Sequence, residues 1–149
     1  MNSIKDFLTR EHRACDEHLG AAEAAAERGD TEAARSHFLL LKRDIEHHFR
    51  SEEEALFPLL EAKAGAYSGP TNVMRSEHSQ IRALLDDMEE ALGTANANLF
   101  LDLSDTLMVM VQQHNMKEEQ VLYPLADQVL QTNEMEEVLS TFRETAPMS

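Results

Sequence analysis

The stretch "HFRSEEEALFPLL", residues 48–60, decides how this chain must be read, because nearly the same phrase returns as "HNMKEEQVLYPLA" at 114–126. Glu52, Glu53 and Glu54 look like a solvated patch. Yet His48 and Glu52 fall on a stripe that runs Phe38, Leu41, Ile45, His48, Glu52, Leu56, Leu59. Steps of three and four residues mark one face of an α-helix. A histidine and a carboxylate therefore lie on a face that should be apolar, while Glu53 and Glu54 turn toward other faces.

Working outward, the same periodicity recurs along the chain. A first stripe runs Ile4, Leu8, His12, Cys15, Leu19, Ala22, Ala26. A third runs Met74, His78, Ile81, Leu85, Met88, Leu92. A fourth runs Phe100, Leu103, Leu107, Val111, His114, Glu118, Val121, Leu125. Breaks separate them at "RGD" (28–30), "GAYSGP" (65–70) and "GTANAN" (93–98). Asp30 suits a helix N-cap and Pro70 a first helical turn. A short fifth helix is expected at about 134–143, capped by Asn133 with Glu136 three residues on. The tail "TAPMS" is expected to fray. Four amphipathic helices with short connections predict an all-α, up-down-up-down four-helix bundle. It would occupy about residues 3–131 of a single domain spanning 1–149.

Composition agrees. Of the 149 residues, 42% are hydrophobic but only 5% aromatic, with eight Met and no Trp, so the core must be aliphatic. Few Gly and Pro favour helix. A net charge of −15 argues against nucleic acid and anionic membrane partners. Cys15 is the single cysteine, no apolar leader opens the sequence, and no run approaches a membrane span. These features set a cytoplasmic expectation.

The two halves are a repeat offset by 66 residues: Glu11-His12 falls on Glu77-His78, His48 on His114, Glu52-Glu53 on Glu118-Glu119, and Pro58 on Pro124. His12 and His48 are 36 residues apart, as are His78 and His114. In an antiparallel hairpin, residues equidistant from the turn share one level. The midpoints of the pairs 12/48, 48/78 and 78/114 are 30, 63 and 96, each in or beside a break. All four histidines should therefore meet at one height in the core. Glu52 and Glu118 each follow a histidine by four, one turn or ~6 Å along the same face.

Unpaired buried carboxylates cost several kcal/mol each, and no Lys or Arg lies on the stripes to pair with them. A bound cation resolves the problem. Four histidines and two carboxylates exceed one tetrahedral zinc site. They suit two metals, each held by two histidines and bridged by both carboxylates. Mixed nitrogen and oxygen donors fit iron or manganese. His18, His37 and His47 fall off the site by phase or height, Asp16 is a weaker carboxylate at the bundle's edge, and Cys15 reads as a small core residue. Pro58 and Pro124 should kink or end their helices just beyond the glutamates.

These motifs, "EH" at 11–12 and 77–78, "HFRSEEEALFP" at 48–58 and "HNMKEEQVLYP" at 114–124, resemble the hemerythrin-like, or HHE cation-binding, family over residues 1 to about 130. The resemblance implies a non-haem di-iron centre with an oxo or hydroxo bridge. By position, His12, His48, His78 and His114 would be terminal ligands, and Glu52 and Glu118 bridging ones. Oxygen-carrying members have a further histidine where this chain has Met74, and an aspartate five residues after the fourth-helix histidine, where Glu118 here follows at four. The pattern is closer to the symmetric members, which include iron–sulfur repair proteins and iron-sensing domains. Repair proteins usually carry an N-terminal cysteine-containing module absent from this sequence, so repair is implied only weakly. The leading expectation is binding or sensing of a small oxidant: oxygen, nitric oxide or peroxide. The alternatives are iron storage, donation or sensing, and a metal-free interaction bundle.

Overall fold

A computed structural model describes residues 3–65 and 69–144. Residues 66–68 of the second break and the tail at 145–149 lie outside it. The described chain is all-α: α1 (Ile4–Glu27), α2 (Thr31–Ser51), a wide π turn (Glu52–Leu56), α3 (Phe57–Ala64), α4 (Gly69–Gly93), α5 (Ala97–Lys117), a second π turn (Glu118–Leu122), α6 (Tyr123–Val129) and α7 (Thr132–Arg143). Each π turn joins its neighbours without a break in helical backbone, so α2–α3 and α5–α6 are two long helices. With α1 and α4 they form the four-helix bundle. Sequential helices pack side by side, and α1 closes the ring against α5.

The breaks are built as the sequence suggests. Asp30 and Asn96 cap α2 and α5 by accepting from Ala33 N–H and Leu99 N–H. Gly29 between α1 and α2 takes φ +77°, where a Cβ would be strained. The N-terminus of α1 is tied down at a distance: Asp127 of α6 accepts from Ile4 N–H at 2.8 Å and Lys5 N–H at 3.2 Å. The expected cap of α7 is corrected. The helix starts at Thr132, and its capping box is Gln131 with Glu134, two residues earlier than Asn133 with Glu136. Both pairs have the same spacing, but the chain leaves its extended segment at Gln131.

The π turns correct a second expectation. A hydrogen bond from Phe57 N–H to Glu52 O, and from Tyr123 N–H to Glu118 O, spans five residues rather than four. One extra residue in the turn lets Pro58 and Pro124 follow, although neither can donate a backbone N–H. It also advances the register by one. The inward residues after the site are Leu56, Phe57 and Leu60, then Leu122, Tyr123 and Ala126. Leu59 and Leu125 are only half-buried, and Val121 is 53% exposed.

Two apolar clusters fill the bundle. One, toward the α1–α2 and α4–α5 turns, packs Phe38 edge-on to Phe100 with centroids 5.8 Å apart, among Leu41, Leu85 and Leu107. The other joins Leu8, Leu56, Phe57, Met74 and Tyr123 to Val138, Leu139 and Phe142 of α7, which covers that end. The histidine level lies between them. Truncating Phe38 to Ala should destabilise the fold by about 3–5 kcal/mol, read from the shift in a denaturant midpoint.

Candidate metal centre

Between the two clusters, the bundle interior turns polar. His12 of α1, His48 of α2, His78 of α4 and His114 of α5 are all buried, and Glu52 and Glu118 are 0% exposed. The histidines meet as two pairs. The rings of His12 and His48 have centroids 4.9 Å apart, as do those of His78 and His114. Each carboxylate lies between the pairs. Glu52 is 3.5 Å from His48 Nε2 and 3.1 Å from His78 Nε2. Glu118 is 3.2 Å from His12 Nε2 and 3.3 Å from His114 Nε2. Among the described residues, two overlapping groups place their donor atoms within 4.8 Å of one another: Glu52, His78, His114 and Glu118, and His12, His48 and Glu118.

The π turns supply this geometry. Each begins at the glutamate itself, and such turns recur at functional sites. In a regular α-helix the residue five after Glu118 would sit about 140° around the axis. The i→i+5 bond returns Tyr123 to the glutamate's face. Tyr123 is wholly buried, and its hydroxyl lies 2.6 Å from Glu52 Oε2 and 2.9 Å from Glu118 Oε1. Sequence reading missed it because α-helical phase was assumed throughout. The one available signal was the proline after it, which an uninterrupted α-helix accommodates poorly.

A second set of carboxylates orients the rings. His12 Nδ1 donates to Glu119 at 2.8 Å, His48 Nδ1 to Glu11 at 3.0 Å, His78 Nδ1 to Glu53 at 2.7 Å and His114 Nδ1 to Glu77 at 2.8 Å. A carboxylate only accepts, so each Nδ1 carries the hydrogen and each Nε2 is turned inward. The second glutamate of each "EE" and the glutamate of each "EH" thus have a defined role, and each bond crosses to a neighbouring helix. They are anchored from outside. Arg82 binds Glu53 and Glu46, and Lys117 binds Glu77. Burial would raise the Glu53 carboxyl, but Arg82 and His78 hold it below the usual carboxylate range.

The other candidates stay apart. His18 pairs with Asp44, His47 Nε2 donates to Phe142 O, and His37 is half-buried one core cluster away. Asp16 is exposed and joins neither donor group. Met74 is buried one turn before His78. Burial pushes the Cys15 thiol up to about 12, away from thiolate chemistry.

The donor set fits a cation. Glu52 Oε1, His78 Nε2, His114 Nε2 and Glu118 Oε2 are buried atoms with no hydrogen-bond partner, although His78 Nε2 and Glu52 Oε1 are only 3.1 Å apart. Without a metal, protons must take its place. Burial would lower the His48 pKa, yet the Glu52 charge and the hydrogen bond to Glu11 push it up to about 10. Burial likewise opposes charge on His114, but Glu118 raises it to about 9. His48 competes in turn with burial to hold the Glu52 carboxyl well below its ordinary value.

A ring of buried imidazoles and two buried carboxylates inside four antiparallel helices defines a metal-binding helical bundle. The chain belongs to the hemerythrin HHE cation-binding domain family, whose model matches residues 3–126. It is 31% identical over 113 residues to the uncharacterized protein Rv1995 of Mycobacterium tuberculosis, covering 70% of this chain and 44% of that protein. It is 32% identical over 96 residues to the iron-sulfur cluster repair protein YtfE of Edwardsiella ictaluri, covering 58% of this chain and 43% of that protein. The chain spans less than half the length of these curated relatives. No solved structure matches it significantly. Among the described residues, no helix is long and apolar enough to cross a membrane.

The pKa shifts set a pH dependence. The folded-state values for His48 and His114 lie above the ordinary 6.5, so folding takes up protons at these rings. That stabilisation is complete below pH 6.5 and is lost as pH rises through 9 to 10. The melting temperature of chelator-treated protein should therefore fall between pH 7 and pH 10 in thermal scans, and a flat or rising profile would contradict the assignment.

Proposed function

We propose that this chain is a non-haem di-iron protein that binds or senses a small oxidant such as oxygen, nitric oxide or peroxide. The observation that carries this reading is the position of Glu52 and Glu118, each lying between two histidine pairs with its oxygens 3.1–3.5 Å from their Nε2 atoms. His12 and His48 would hold one ion, His78 and His114 the other, and both carboxylates would bridge them. Imidazole and carboxylate donors without a thiolate favour iron, with manganese as the nearest competitor. Iron bound there supplies electron exchange to an oxidant. Glu11, Glu53, Glu77 and Glu119 keep the rings aimed and add negative charge that supports the ferric state.

The space beside the histidines suits a small neutral molecule. A cavity of about 20 Å³, walled by Ile45, Phe49 and Val111 as well as His12, His48 and His114, adjoins the site. It has room for about one water-sized or diatomic molecule. Its apolar wall disfavours ions.

Metal counting tests the reading. Protein loaded anaerobically should carry two irons per chain and show a reversible change in visible absorption when the reduced form meets oxygen, nitric oxide or peroxide. Full helicity with no bound metal would refute it. His78→Ala should lose or weaken one ion; an unchanged iron count would remove that residue from the ligand set. Glu119→Gln, which keeps shape but removes charge, should weaken metal affinity about 10–100-fold in competition with a chelator. A second reading, iron handling that includes repair of iron centres, is favoured by the similarity to YtfE over 58% of the chain. Ready transfer of iron to a mild chelator, without reversible oxidant chemistry, would select it.

A further inference from the structure

At one buried position beside the histidines, the two halves of the repeat bring different chemistry. The 66-residue offset that superposes His12 on His78 and Glu52 on Glu118 places Phe57 on Tyr123. Both follow the glutamate by five, both start the helix after a π turn, and both are wholly buried. Phe57 lies over His78, with ring centroids 5.7 Å apart, and brings no polar atom. Tyr123 lies over His12 at the same 5.7 Å and brings an oxygen into the cluster.

That oxygen is oversubscribed. Its neighbours are Glu52 Oε2 at 2.6 Å, Glu118 Oε1 at 2.9 Å, His12 Nε2 at 3.1 Å and His48 Nε2 at 3.3 Å. Both imidazoles give their Nδ1 hydrogens outward, to Glu119 and Glu11, so each ring, in the neutral form that a metal requires, presents a lone pair at Nε2. A phenol has one hydrogen, and it faces four acceptor atoms. With both rings neutral, three of those contacts set lone pair against lone pair in a buried site, which costs free energy and is relieved in the metal-free chain only by extra protons on the rings. A cation among these atoms removes the conflict, because all five become donors to it. We propose that Tyr123 is a further ligand, through its phenolate oxygen, to the metal held by His12 and His48. The inference rests on the di-iron reading and deepens it. The O–H bond breaks, an oxygen–metal bond forms, the proton leaves to solvent, and no oxidation state changes.

The two metal positions are then unequal. The His12/His48 ion gains a hard anionic oxygen donor that favours the ferric state. On the His78/His114 side, Phe57 occupies the equivalent place and would offer an ion no donor atom.

The test is the visible spectrum of the full chain loaded with ferric iron. Wild-type protein should show a phenolate-to-iron charge-transfer band, and resonance Raman excitation within it should enhance tyrosine ring modes. Tyr123→Phe should abolish both, while Tyr67, the other tyrosine, remains. The variant should keep its helicity and bind its less tightly held iron about 10-fold more weakly in chelator competition. The wild-type Raman spectrum decides the matter even if the variant folds poorly. Two bound irons without tyrosine modes would overturn this assignment alone and leave Tyr123 as a hydrogen-bond donor. A chain that binds no iron would overturn the di-iron reading together with it.

Discussion

Two carboxylates at 0% exposure in the middle of a helical bundle are the constraint around which this protein is organised. Among the described residues, neither has a lysine or arginine as an ion-pair partner. Their neighbours are imidazole nitrogens and one phenol. Burial of that kind is tolerated only if positive charge comes with it, as protons on the histidines or as metal. The apolar core consequently splits in two, one cluster on each side of the polar layer. The bundle is two hydrophobic caps clamped over a charged slab.

The clamp is a circuit. Each helix of the bundle presents one histidine inward, and each Nδ1–H is held by a glutamate from an adjacent helix: α1 to α2, α2 to α4, α4 to α5 and α5 to α1. Rotation of any helix would release two of these bonds and turn an Nε2 away from the centre. Packing and the inward aim of the rings are therefore coupled, so a cation bound at the centre would also stabilise the fold.

Much of this was legible in one dimension. Helical period, the 66-residue offset and the equal 36-residue histidine spacings are properties of the string. Antiparallel hairpins translate equal distances from a turn into equal heights, so four histidines at one level followed from counting. The family match over residues 3–126 spans all of these motifs. The reading failed where a local rule changed without an unambiguous mark. Nothing in "EEEAL" or "EEQVL" signals a π turn, and the proline that follows each was open to being read as a kink or an end. Leu56 faces inward as its stripe predicts, but Leu59, Val121 and Leu125 are each one place short of the buried Leu60, Leu122 and Ala126.

What the sequence by itself determined is the set of elements and the height of each histidine, because both depend on backbone periodicity and turn position alone. The tertiary structure decided which glutamate serves which ring and that Tyr123, rather than Phe57, brings an oxygen to the centre. Those choices are contacts between helices distant in sequence, and a period measured along one helix carries no information about what faces it across the bundle.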